Sequence, residues 1–524
     1  MKYSSRLVLA GLVLLAVGRA PAAETPTVRP YERETWATPA NGVDTRVLAA
    51  LQQAGVDPAH PCSDEVFIRR VYLDVTGTLP EPSAVRRFLL DPAPAKRATL
   101  IDALLQRDEF ADYAALKWCD LLRVKAEFPI NLWPNAAQAY HGWIRDAIQS
   151  NLPYDQFVRA LLTSSGSNFR VPCVNFYRAV QGRQSDDLAQ VVALSFMGTR
   201  LATWTPERRA DLAVFFSRVA YKSSGEWKEE IVYPDLTATA PLPVVFPDGS
   251  KAVIAAGDDP RVAFADWLTK PDNPWLARAV VNRLWAWLLG RGIINEPDDI
   301  RPDNPPANPE LLAYLAQQLV ADKWDLRQIY RLILNSRTYQ QSALPRSNRP
   351  EAEALCASYP VRRLDAEVLA DALDWVGGTA QSFVSPIPEP FTYLPSDQRS
   401  VALPDGSITS PFLMRFGRPA RDTGLESERS NTPSDAQQLY LLNSSEVQQQ
   451  IIKSPRLRAA AAAAGGDRAA LIQEVYLTLL SRNPMPAEQA AAEAYAQTPG
   501  LGPNDAATDL AWALINSAEF QYRH

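Results

Sequence analysis

Apolar residues recur at the spacing of one helix face along most of the 524-residue chain, and this pattern narrows the possible folds most sharply. Tyr140, Trp143, Ile144, Ala147 and Ile148 stand at i, i+3, i+4, i+7 and i+8, the stripe of an amphipathic helix. Ala277, Val280, Val281, Leu284, Trp285 and Leu288 repeat it. The pattern predicts a mainly α, multi-helical, two-lobed protein. Two stretches depart from it. Near 228–256, Pro247-Asp248-Gly249 separates Val244-Val245-Phe246 from Val253-Ile254, a turn between β-prone runs. Near 383–415, Pro404-Asp405-Gly406 marks a second such place. Short β excursions are expected at both. The expected division is a Pro/Thr-rich lead-in over 24–42, an N-terminal helical domain over 43–227 and a β-containing linker over 228–258. A C-terminal helical domain with a β insertion follows over 259–524.

The first 23 residues read as a secretory leader. Lys2 and Arg6 precede an apolar stretch over Leu7–Val17, and Ala20-Pro21-Ala22 supplies the small-residue cleavage pattern. About eleven apolar residues are too few to span ~30 Å of hydrocarbon. A secreted or periplasmic protein with no membrane span after cleavage is therefore expected. Basic residues number 53 against 59 acidic, a net charge of −6, which speaks against a nucleic-acid partner. The four cysteines, Cys62, Cys119, Cys173 and Cys356, form no C-x-x-C pair. Their spacing is compatible with buried free thiols or with any of three disulfide pairings.

A weak internal repeat is present. Val71-Tyr72-Leu73 precedes Pro80-x-Pro82 as Val475-Tyr476-Leu477 precedes Pro484-x-Pro486. Each unit is expected to close on a helix ending in Glu-Phe, at Glu109-Phe110 and Glu519-Phe520. Leu334-Asn335-Ser336 echoes Ile515-Asn516-Ser517. The expected module is a helix that stops, a proline that restarts the next one, and an aromatic that pins its end.

Several strings, in order, resemble a known family. They include Phe67–Gly77 (FIRRVYLDVTG), Ala114–Arg123 (AALKWCDLLR), Tyr154–Gly166 (YDQFVRALLTSSG), Val280–Arg291 (VVNRLWAWLLGR), Leu332–Tyr339 (LILNSRTY) and Phe416–Pro419 (FGRP). Glu428–Ser430 (ERS) and Trp512–Phe520 (WALINSAEF) continue the series. The chain is similar to the secreted two-part proteins abundant in planctomycetes, which carry two consecutive domains of unknown function. In some relatives a cytochrome-c-like domain precedes them. The resemblance implies a C-x-x-C-H-x-H-P-like block after the Gly-Thr-Arg-Leu string and a C-E-C-E-R-S string near the C-terminal third. Here Met197-Gly198-Thr199-Arg200-Leu201 runs directly into Ala202-Thr203-Trp204-Thr205, and the second string reads Leu425-Glu426-Ser427-Glu428-Arg429-Ser430. Joint loss of both ligand sets implies that 197–205 and 422–430 meet in space, and that this member holds no metal and no cofactor.

The remaining polar candidates are few. Asp422, Glu426, Glu428 and Arg429 form the densest charged cluster of the C-terminal half, suited to acid–base work if one carboxyl is raised by burial. Arg429 is also expected to fix its loop through a carboxylate pair, next to a helix begun near Pro433 with Thr432 as its cap. Arg70 and Asp74 stand at i, i+4, where they are candidates for an anion or substrate contact but are expected rather to pair and dock their helix; Asp120 and Arg123 at i, i+3 are expected to pair as well. Asn282, Arg283 and Trp287 crowd one helix; Trp287 lies off its apolar face, where an exposed ring would stack on a sugar. Asp298, Asp299 and Asp303 lack the spacing of a Ca²⁺ loop. The expected function is a secreted binding or structural protein with a glycan or a cell-surface protein as partner. The alternative is an extracytoplasmic enzyme acting on polysaccharide through Glu426, Glu428 and Asp422.

Overall fold

The computed structural model describes residues 27–524, so the leader expected over 1–23 lies outside the described residues. Among the described residues about half of the chain is helical, in 23 α-helices, with small sheets only. Both periodic stretches form the helices they predict, Pro134–Gln149 and Leu276–Leu289. In the second, all six stripe residues from Ala277 to Leu288 are buried. No described helix is long and apolar enough to cross a membrane.

The 228–256 excursion is real. Leu242–Val245 and Lys251–Ile254 pair antiparallel across the Pro247-Asp248-Gly249 turn. Upstream, Glu230–Pro234 is the central strand between Val219–Ser223 and the two-residue strand Gly166–Ser167. At 383–415 the β character reduces to one isolated bridge, Val384 with Thr409. Its turn serves another purpose. The Asp405 carboxylate accepts the amides of Ala126 at 2.8 Å and Ser407 at 2.8 Å, which fastens this segment to the N-terminal half. The segment before the first helix is not loose over its described part: Glu32 bridges Cys62, and Thr38 donates to Gln340.

Two hydrophobic cores organise the molecule. One runs from Val43 to Tyr359 and also takes in Leu477; the other runs from Leu364 to Phe520 and takes in Leu73, Leu79, Tyr113 and Leu116. Apart from these crossovers, the chain changes core between 359 and 364, well beyond the β segment. Two helices stand at the contact. Asp64–Val75 is capped by Ser63, whose hydroxyl accepts the Val66 amide, and ends at Gly77 in the left-handed region at φ +61°. A Cβ there would also lie 3.1 Å from the Tyr113 ring, so glycine lets the chain leave the helix under that ring. Asp108–Leu121 crosses behind it. From the other core, Ala366–Gly377 begins at Asp365. The strand pair Arg362–Arg363 with Tyr522–Arg523 brings the C-terminus to the same place.

Candidate functional site

Buried acids and bases form one continuous network along this contact. Arg429 meets the Glu367 carboxylate with two nitrogens, at 2.7 and 3.0 Å, and reaches Asp120 at 2.6 Å. Arg421 takes the other Asp120 oxygen at 2.8 Å, and Arg418 lies 3.4 Å from Glu367. Asp365 accepts from Lys117 at 2.8 Å, from the Tyr113 hydroxyl at 2.6 Å and from Arg523 at 3.2 Å. Arg523 and Arg362 then reach Asp74, at 2.9 and 3.1 Å. Burial alone would raise the Asp365 carboxyl, but Lys117, Arg523 and Arg429 hold it well below the usual range. Burial works against Asp120 in the same way, and Arg429 and Arg421 overcome it. Residues from both cores supply these charges, so the network ties one core to the other.

Arg429 has a bidentate carboxylate partner, Glu367 on the helix Ala366–Gly377. Glu428 spends its carboxylate locally. It accepts the amides of Asp422, Thr423 and Gly424 and the Thr423 hydroxyl, closing the loop on itself. Asp422 pairs with Lys125. Glu426 accepts from the Trp287 indole at 3.4 Å, and its own amide donates to Asp298 at 3.1 Å. Burial raises the Glu426 carboxyl, with Arg283 and Lys117 opposing. The three acids thus face different donors and do not converge on one point. The helix after this loop is Asp435–Asn443, capped by Ser434 rather than by Thr432.

Other expectations need correction. Arg70 does not pair with Asp74. It donates to the carbonyls of Tyr339, Gln341 and His524 and stacks 3.7 Å above Tyr359, while Asp74 also takes the hydroxyls of Tyr339 and Tyr359 at 2.8 Å. Arg123 does not pair with Asp120; it donates to the carbonyls of Ala179 and Leu121. Trp287 is half-buried, edge-on to Trp118, and so is no exposed platform. Asn282 is fully buried and exchanges two 2.9 Å bonds with the Ile294 backbone, a structural clamp. Arg283 is buried and donates to the Leu194 carbonyl at 3.2 Å. Asp298 is held by Arg200 at 2.7 Å, and Asp299 and Asp303 both lie against Arg301. All four cysteines are buried and unbonded to one another, with burial pushing Cys119, Cys173 and Cys356 to about 12.

The two segments expected to meet do so. Arg200 and Ala202 from the first, and Asp422, Thr423 and Leu425 from the second, line one cavity of about 360 Å³. Asp298 bridges them, accepting from Arg200 and from the Glu426 amide. The wall before Arg200 is a π-helical turn, Ala193–Met197, whose Leu194 carbonyl is the one taken by Arg283. Such turns gather at functional sites. The donor set does not fit a thiolate-held metal or a haem, because neither segment contains a cysteine or a histidine. Among the described residues no group of three or more His, Cys, Asp or Glu is arranged to hold a metal ion.

A second acidic pair escaped sequence reasoning. Asp371 and Asp374 stand one turn apart on Ala366–Gly377 and line a cavity of about 280 Å³ with Trp375, Arg399 and Arg456. Burial, with Asp371 beside it, carries Asp374 up to about 7. The spacing was visible, but the same stretch is rich enough in Ala, Leu and Val to read as plain core helix.

Residues 42–203 match the family described as protein of unknown function (DUF1549), and residues 260–496 match protein of unknown function (DUF1553). No curated protein and no solved structure matches the chain.

Proposed function

Because the chain belongs to the two-domain family in which a DUF1549 region precedes a DUF1553 region, we propose that it acts outside the cytoplasm as a binding protein. The leader pattern of residues 1–23 supports export. The observation that carries the binding role is the cavity walled by 200–202 and 422–425, built from segments more than 200 residues apart. Cavities of this size suit small ligands. The alternative, polysaccharide cleavage through Glu426, Glu428 and Asp422, draws less support. Glycosidase carboxylates face each other across a cleft, whereas Glu428 is consumed by three backbone amides and Asp422 by Lys125.

Expression with export, N-terminal sequencing and a panel of dye-linked polysaccharides test this. The expected result is a mature chain starting near Ala23 that releases no dye. Dye release lost on Glu426→Gln, with an unchanged melt, would establish the enzyme reading instead.

A further inference from the structure

Trp227 is the most exposed of the 13 tryptophans, at 69%, and its ring does not stand alone. Its centre lies 6.2 Å from that of Trp133, with the two planes at 85°. Phe391, also exposed, lies 5.3 Å from Trp133 at 62°. The Lys228 ammonium sits 4.7 Å from the Trp133 ring centre and 5.4 Å from that of Trp227. Trp133 belongs to the region matched over 42–203, Phe391 to that over 260–496, and Trp227 to the hairpin turn between Val219–Ser223 and Glu230–Pro234. Three segments far apart in sequence thus bring aromatic rings to one place on the surface. Single exposed apolar side chains are ordinary, but a gathered set of them marks a contact with something outside the fold.

The backbone fixes these rings in place. Asn131, Trp133 and Lys228 have φ of +62°, +73° and +60°, a region that residues with side chains avoid. Such strain persists only where surrounding bonds impose it, and it gathers at binding sites. Leu132 and Trp133 donate their amides back to the Lys125 and Ala126 carbonyls, both at 3.2 Å. The buried Asn168 side chain donates to the Lys228 carbonyl at 3.1 Å and accepts the Glu230 amide at 3.0 Å. The Phe391 and Thr392 amides donate to the Pro388 carbonyl at 3.2 and 3.3 Å. Rings held this way lose little freedom when a ligand arrives.

The polar groups beside the rings select the ligand. Glu226 and Glu389 are exposed and stand within two residues of Trp227 and Phe391. A lipid surface would draw both carboxylates towards hydrocarbon. A protein partner would bury them in an interface core, where acidic residues are scarce. A polyanionic chain would meet two carboxylates against the single ammonium of Lys228. A neutral polysaccharide meets none of these costs. The C–H faces of its sugar rings lie on aromatic faces, and its hydroxyls bond to carboxylate, ammonium and the exposed Asn131 amide.

We propose that Trp133, Trp227 and Phe391 form a binding surface for a neutral polysaccharide, with Trp227 as its main stacking platform. None of the three lines the 360 Å³ cavity, so this surface goes beyond the binding role argued above and stands or falls separately from it.

Native electrophoresis of the mature full-length chain through gels containing hydroxyethylcellulose, mixed-linkage β-glucan, glucomannan or arabinoxylan tests this. Alginate gels, and sedimentation with phosphatidylcholine–phosphatidylglycerol vesicles, are the competing arms. The expected result is retardation in at least one neutral gel, weaker retardation in alginate and no sedimentation with vesicles. Trp227→Ala should weaken the neutral interaction about tenfold, the worth of roughly one aromatic stack, with an unchanged melt because the ring is exposed. Phe391→Ala should weaken it in the same direction. Leu90→Ala, at another exposed apolar position, should bind as the parent does. Absence of retardation in every neutral gel overturns the proposal. So does binding that Trp227→Ala leaves intact, an equal loss on Leu90→Ala, stronger retardation by alginate, or sedimentation with vesicles.

Discussion

Asp74 and Arg70 lie one helical turn apart, and their separation shows what sequence spacing can and cannot reveal. Proximity along a helix permits a pair but does not select it. Here Arg523, 449 residues away, meets Asp74 at 2.9 Å, and Arg70 turns to three carbonyls. Buried charges take the partners that tertiary packing brings, and those are invisible to an i, i+4 rule. Asp374 offers a residue-level test. Its folded form keeps the proton up to about 7, whereas the ordinary value is 3.8. From about pH 4 to pH 7 the unfolded chain has released a proton that the folded chain still holds, so this group's contribution falls as pH rises and is smallest above 7. Asp374→Asn removes the titration and keeps an acceptor for Thr379 and Gln450, which bond to Asp374 at 3.1 and 3.0 Å. Its stability advantage over the parent should grow by about 1–2 kcal/mol between about pH 5 and pH 8. Denaturant melts at the two pH values measure this; a constant offset would show that Asp374 titrates normally.

At the scale of elements, much of the pattern was legible because it is local. The repeat read from Val-Tyr-Leu and Pro-x-Pro corresponds to Asp64–Val75 followed by Pro82–Leu90, and to Arg468–Leu480 followed by Pro486–Ala496. Pro82 and Pro486 each open their helix. Glu109-Phe110 and Glu519-Phe520, however, start the next helix rather than end one. The Leu/Ile-Asn-Ser echo is also structural. Ser336 and Ser517 each donate to the carbonyl three residues back at 2.6 Å and accept an amide three residues on, while Asn335 and Asn516 each donate to the carbonyl four residues back at 2.9 Å. The aromatic that follows is fully buried in both, as Tyr339 and Phe520. The two helix ends of the repeat differ at one position. Gly77 has φ +61° and its counterpart Ser481 φ +57°, where a side chain is strained. The Ser481 hydroxyl is buried without a partner. Ser481→Gly relieves both, and the melt should rise by an amount equivalent to about 1 kcal/mol. A lower melt would mean that the serine side chain packs usefully where it is.

For the whole molecule, the helical class and the meeting of 197–205 with 422–430 were readable. The first follows from periodicity, the second from the resemblance and its two departures. The division of cores was not readable, because the change between 359 and 364 has no mark in composition. Only contacts such as Leu73 and Tyr113 with the second core reveal it. The Arg429 network crosses that boundary, through Asp120 on one side and Glu367 and Asp365 on the other. Its arginine directly follows Glu428, which closes the loop that walls the cavity. Removing the guanidinium would leave Glu367 and one Asp120 oxygen buried without their strongest partner. The most direct measurement is the unfolding free energy of Arg429→Ala beside the parent. The account predicts a loss of roughly 3–5 kcal/mol, the cost of breaking a buried pair from one side. An unshifted melt, with only ligand binding or turnover altered, would contradict it and make Arg429 part of a working site rather than the clamp between the cores.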